Sequence, residues 1–178
     1  MRAGYGSSSS RERLFFALWP GEDVRARLAA RADGWAGRPV AADGYHMTLA
    51  FAGAVEADVR RALEAGAASV SGEAFVCVLD EIIWLGVGNI AALAPSYPPP
   101  ALLGLAARLR RLVSGATSRV ALHRYRPHVT LRRLGAGEPR WCSPPPEPVP
   151  WAVADYVLCR SRAERPGSYD VLARWPLS

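Results

Sequence analysis

Two of the three histidines in this 178-residue chain stand in the same setting, His46-Met47-Thr48-Leu49 and His128-Val129-Thr130-Leu131. Average composition puts Thr and Leu at those offsets after a given histidine on the order of once in a few hundred. Two hits among three histidines therefore point to a repeated functional unit. On a strand, side chains alternate, so His46 and Thr48 share one face while Met47 and Leu49 share the other. The second motif obeys the same rule. Each motif offers an imidazole beside a hydroxyl, held by an apolar face turned to the core. Imidazole suits both proton removal and proton donation because its ordinary pKa of about 6.5 lies near working pH.

Two such strands related by an approximate twofold would bring both imidazoles and both hydroxyls to one cleft. That set fits in-line attack at phosphorus. One histidine takes a proton from the nucleophile, the other gives one to the leaving oxygen, and the hydroxyls donate to non-bridging oxygens. This chemistry calls for no metal. A zinc site is the obvious rival, but the spacings His-Glu-x-x-His and paired Cys-x-x-Cys are absent; a two-histidine site with carboxylate help stays open. The third histidine, His123, lacks a threonine two residues on and reads as structural or surface.

The charge distribution agrees with a phosphate-bearing partner. All 22 basic residues are arginine, which GC-rich codon usage would also produce. Their placement says more than their type. Between Ile82 and Gly137 there is no acid, yet Arg108, Arg110, Arg111, Arg119, Arg124, Arg126, Arg132 and Arg133 all fall there. Guanidinium forks match phosphate oxygens, although Arg108 to Arg111 fit a solvated helix face equally well.

Elements that position the motifs can be read in order. Arg13 to Trp19 is a buried strand stopped by Pro20-Gly21, and Glu22 to Trp35 has helical spacing. Tyr45 to Phe51 is the strand of the first motif, and Glu56 to Val70 a second amphipathic helix. Phe75 to Leu85 and Asn89 to Ala94 read as strands joined around Gly86-Val-Gly88. Ala101 to Val113 is a third helix, behind Pro98 to Pro100. Arg119 to Leu122 and Pro127 to Leu134 read as strands, the latter carrying the second motif. Glu138 to Pro150 is a proline-rich loop, and Trp151 to Cys159 and Tyr169 to Trp175 close the chain as strands parted near Pro166-Gly167. Strand, helix and motif strand recur in each half, which predicts an α+β fold with internal duplication.

Length and composition bound the rest. One domain over residues 13–178 follows a flexible leader, 1–12, marked by Gly6 and Ser7 to Ser10. Cys77, Cys142 and Cys159 are odd in number and far apart, so they predict neither a disulfide framework nor a thiolate metal site, and favour a reducing, cytoplasmic interior. No apolar stretch has the length of a membrane helix. A soluble monomer is expected.

At these residues the chain resembles the two-histidine (2H) phosphoesterases, and among them the bacterial RNA 2′,3′-cyclic phosphodiesterases of the LigT type, also called 2′-5′ RNA ligases. The resemblance covers Arg13-Leu-Phe-Phe-Ala-Leu-Trp-Pro20, Tyr45-His-Met-Thr-Leu-Ala-Phe-Ala-Gly53 and Tyr125-Arg-Pro-His-Val-Thr-Leu-Arg-Arg133. It continues in Leu158-Cys-Arg-Ser-Arg162 and Tyr169-Asp-Val-Leu-Ala-Arg-Trp-Pro176.

The resemblance implies two lobes, an antiparallel-rich sheet in each, outer helices and a central cleft. It implies opening of an RNA-terminal 2′,3′-cyclic phosphate to a 2′-phosphate without cofactor, with RNA ends or small cyclic-phosphate nucleotides as partners. His46 is then the proton donor to the leaving 3′ oxygen and His128 the proton acceptor that activates water. Thr48 and Thr130 would hold the phosphate with Arg133 or its neighbour Arg132. The family's bulky aromatic near residue 92 is missing here, where Ala92 stands, which leaves Tyr45 and Trp84 as candidates to stack on a base. Two other readings share these residues: an esterase for 2′-5′ linked oligonucleotides or an ADP-ribose cyclic phosphate, and a non-catalytic RNA-binding module.

Overall fold

In a computed structural model, residues 11–86, 89–117, 124–138 and 147–178 are described. The apolar run after Arg11 forms strand β1 (Glu12–Leu18), and helix α1 (Glu22–Arg31) follows with Glu22 and Asp23 at the positive end of its dipole. α1 stops short of the expected Trp35, since the chain turns at Gly34 with φ 74°. A two-residue strand, β2 (Arg38–Pro39), and a single 3-10 turn (Ala42–Gly44) lead into β3 (Met47–Val55) and α2 (Ala57–Ala67). Then come β4 (Phe75–Leu79), β5 (Glu81–Leu85), β6 (Ile90–Ala94) and α3 (Pro100–Thr117). β7 (Val129–Arg133), β8 (Val149–Val153), β9 (Asp155–Ser161) and β10 (Tyr169–Pro176) complete the chain.

Two stretches expected as single strands are each cut in the middle. Phe75 to Leu85 breaks at Asp80, whose carboxylate accepts bonds from the Ser96 amide and hydroxyl; Trp151 to Cys159 breaks at Ala154. The leading pieces, β4 and β8, pair with each other as a separate small sheet, and the trailing pieces join the main one. Arg119 to Leu122, His123, Cys142 and most of the proline-rich loop lie outside the described residues.

The main sheet runs β10-β9-β1-β3-β7-β6-β5, with β2 beside β7, and its pairings are antiparallel. The two motif strands, β3 and β7, are joined in it by one residue pair, Met47 opposite Val129. One face carries the principal core, in which Phe16, Met47, Leu93 and Val129 pack against Leu63 of α2 and Leu105 and Leu109 of α3. The other face bears two small apolar clusters, Phe15-Ala17-Val157-Cys159 on one half and Ile83-Ala92-Ala94 on the other. Cys77 and Cys159 are free and buried, and burial pushes both thiols up to about 12. Among the described residues, no helix is long and apolar enough to cross a membrane.

Candidate active site

His46 and His128 each occupy the position just before a strand, β3 and β7. Pairing of Met47 with Val129 sets the register there, so His46 falls opposite Thr130 and His128 opposite Thr48. The four residues mark the corners of a patch, histidines on one diagonal and threonines on the other. Ideal antiparallel geometry spaces such diagonal neighbours roughly 7–8 Å apart, somewhat less at Cβ. All four lie partly open on the face away from the principal core, while Met47 and Val129 between them are 0% exposed on the other face.

Each imidazole is fixed in the same way. Nδ1 of His46 donates to the Gly44 carbonyl at 2.8 Å, and Nδ1 of His128 donates to the Arg126 carbonyl at 2.7 Å. A carbonyl only accepts, so the ring proton of the neutral form sits on Nδ1 and Nε2 is left with a free lone pair. The leucine of each motif has a shared role as well. Ala17 pairs with Thr48 and Phe16 with Ala50, which leaves Leu49 unpaired; Ala92 pairs with Thr130 and Ala91 with Arg132, which leaves Leu131 unpaired. Each leucine is thus the extra residue of a β-bulge, buried at 1% and 0% exposure.

Beyond these shared features the surroundings diverge. Trp19 stacks on His46 with ring centroids 5.8 Å apart, Tyr169 meets it edge-on at 4.8 Å, and Phe15 lies at 5.0 Å. Since Ala17 and Ala92 face equivalent threonines, Ala94 is the counterpart of Trp19 beside His128. Burial is the main cause that lowers the His46 pKa below its ordinary value; the bond to Gly44 opposes it, and positive charge on His128 and Arg133 lowers it further. His128 is also lowered, first by burial and then by Arg126, against the bond to the Arg126 carbonyl. Among the described residues no group of three His, Cys, Asp or Glu side chains could hold a metal ion.

Similar proteins were found on both sequence and structure. A family model described as LigT-like phosphoesterase matches residues 93–168. The RNA 2′,3′-cyclic phosphodiesterase of Escherichia coli (strain K12) is 32% identical over 183 residues, covering 96% of this chain and 99% of that protein. The chain belongs to the LigT-like phosphoesterases. Crystal structures of E. coli LigT agree: the apo form superposes with a TM-score of 0.83 at 33% identity, covering 96% of this chain and 99% of that one. LigT complexed with 3′-AMP also gives 0.83, at 32% identity over 94% of this chain and 99% of that one.

Within this LigT-like fold the bulge at Leu131 separates the two candidate arginines. Arg132 pairs with Ala91, which belongs to the principal core, and its guanidinium donates to the Ala32 carbonyl at 3.1 and 2.6 Å and to the Gly37 carbonyl at 3.1 Å. Arg132 therefore ties down the end of α1 and is not aimed at the histidines. Arg133 pairs with Ile90, two residues from Ala92, and so shares the face of Thr130.

Both stacking candidates require correction. Tyr45 is 3% exposed and packs in the principal core, as alternation demands of the residue next to His46. Trp84 packs against the same core, because its neighbour Ile83 is the one that faces the cluster with Ala92. Trp19, Tyr169 and Phe15 are neighbours of His46 that the sequence reading does not include. Their approach to His46 depends on register between β1, β3, β9 and β10, which no local pattern encodes; only the aromatic density at Phe15 to Trp19 hinted at it.

Proposed function

We propose that this face hydrolyses a 2′,3′-cyclic phosphate at an RNA end to a 2′-phosphate, with His128 as general base and His46 as general acid. The observation that carries the reading is the diagonal pair of imidazoles, each with Nδ1 tied to main chain and Nε2 free. His128 Nε2 takes one proton from a water whose oxygen attacks phosphorus. As the P–O3′ bond breaks, His46 Nε2–H delivers its proton to O3′, which leaves a free 3′-hydroxyl. Thr48 and Thr130 donate to the non-bridging oxygens and Arg133 offsets the charge that builds on them.

The lowered pKa of His128 supports its part, since a neutral imidazole is the competent base. His46 must be protonated to act as acid, and its lowered pKa works against that in the free enzyme. An anionic phosphate between the rings raises it again, so substrate itself arms the acid. The name of the E. coli relative and the 3′-AMP complex of LigT support an RNA-end or nucleotide substrate.

Phosphorus NMR of the products from a nucleoside 2′,3′-cyclic phosphate tests the reading. A single 2′-phosphomonoester is expected, and its loss in His46→Ala and in His128→Ala. A 3′-phosphate product, or turnover that survives either substitution, would refute it.

A further inference from the structure

β2 is only two residues long, yet it sets Arg38 directly opposite Arg133. Cross-strand partners share a sheet face, so Arg38 stands on the side of Thr130 and the histidines. Like charges directly opposite one another destabilise a strand pair. Both side chains are exposed, and neither has an ion-pair partner among the described residues. The chain nevertheless holds them together by several devices.

Gly37, with φ 93°, comes so close to β7 that an added Cβ would sit 2.7 Å from the Arg133 carbonyl oxygen. Arg132 donates to the Gly37 carbonyl and so anchors the residue before Arg38. Val40 N–H donates to the Leu131 carbonyl on the far side of Pro39. A like-charge pair held together by a glycine at positive φ, the Arg132 guanidinium and a ladder bond is suited to an anion between its members.

On the reading of the site as a phosphodiesterase, we propose that Arg38 binds the phosphodiester on the 5′ side of the terminal nucleotide, while Arg133 serves the reacting phosphate. Arg133 lies nearer the histidines, since its charge is felt at His46. Arg38 sits across from Arg133 on the edge of β7 that β3 also occupies, at the end of the patch away from His128, and reaches the next phosphate along the chain. It thereby makes the site selective for an RNA end over a free cyclic mononucleotide. Arg132 is then a positioning residue for this contact.

The test compares kcat/KM for a nucleoside 2′,3′-cyclic phosphate with that for a dinucleotide ending in the same group. Wild-type protein is expected to favour the dinucleotide. Arg38→Ala should lower the dinucleotide-to-mononucleotide ratio about tenfold, through KM, and Arg38→Lys should restore part of it. The salt dependence of log KM for the dinucleotide should flatten in Arg38→Ala by about 0.7, the value of one single-strand phosphate contact. An unchanged ratio in Arg38→Ala, or equal loss on both substrates, would overturn the assignment while leaving the phosphodiesterase reading intact. Wild-type protein inert on both substrates would remove that reading, and this inference with it.

Discussion

The two halves of the site repeat one backbone device and surround it with opposite chemistry. In both, a histidine bonded through Nδ1 to the carbonyl two residues back precedes a strand, and a buried leucine bulges three residues after it. Around His46, however, three aromatic rings close in, whereas the equivalent of Trp19 beside His128 is Ala94. Beyond each bulge the next residue on the open face is Phe51 in one half and Arg133 in the other, seen from their partners Phe15 and Ile90. The repeat fixes where the imidazoles are; the differences give each ring its own surroundings. An imidazole held between rings has its orientation set by packing, and its neighbour faces arginine and open solvent.

The largest effect expected from breaking this comparison comes from the histidines themselves. His46→Ala and His128→Ala should each lower kcat by 10²- to 10⁴-fold, and the double variant should lose little more than the worse single one, because the rings act on one transition state. Steady-state kinetics on a cyclic nucleotide measures this. Multiplicative losses would mean that the two rings serve separate steps.

Next in size is the cost of removing the bulge leucines. Leu49→Ala and Leu131→Ala should each destabilise the fold by about 2–5 kcal/mol, the range for a buried leucine truncated to alanine. Denaturant unfolding should give similar values for both if the halves repeat structurally as described. A cost at only one of them would show the symmetry to be superficial.

Smaller effects separate the halves. Trp19→Ala lessens the burial that depresses His46, so its pKa should rise towards the ordinary imidazole value. The limb of the kcat/KM profile on which the acid loses its proton should then move to higher pH, and the limb set by His128 should stay in place. Because both histidines are depressed in the wild-type protein, its bell should be centred below about pH 6.5. Arg133→Gln should shift the His46 limb in the same direction as Trp19→Ala, while raising KM through the lost phosphate contact. Arg132→Gln should not shift it; its effect should be a stability loss of about 1–3 kcal/mol from the carbonyls of Ala32 and Gly37.

Strand alternation made part of this legible from sequence. It puts His46 with Thr48 and His128 with Thr130 and turns Tyr45 inward, whereas Trp84 reaches the core only because the break at Asp80 reverses the faces beyond it. The bulges at Leu49 and Leu131 were hidden, since neither glycine nor proline marks them. That is why Arg132 and Arg133 looked equivalent: one extra residue reverses the faces of everything after it. β2 has no signature in the sequence because two residues carry no periodicity, and proline is uncommon inside strands. The breaks at Asp80 and Ala154 are hard to read because apolar residues run up to both on either side, while the strands they separate belong to different sheets.

The single pair Met47–Val129 has a consequence of its own. A patch that faces its own rotated image is the geometry of an isologous dimer contact, here written once into a single polypeptide. Subunits of a true dimer carry the same residue at equivalent positions, but a single chain can place different ones there, as with Trp19 and Ala94. Its central pair is not free in the same way. On the proposed mechanism, a change of bulk at Val129 would be transmitted through the shared axis to both histidines at once, so a residue that touches no substrate would set the gap offered to the phosphorus.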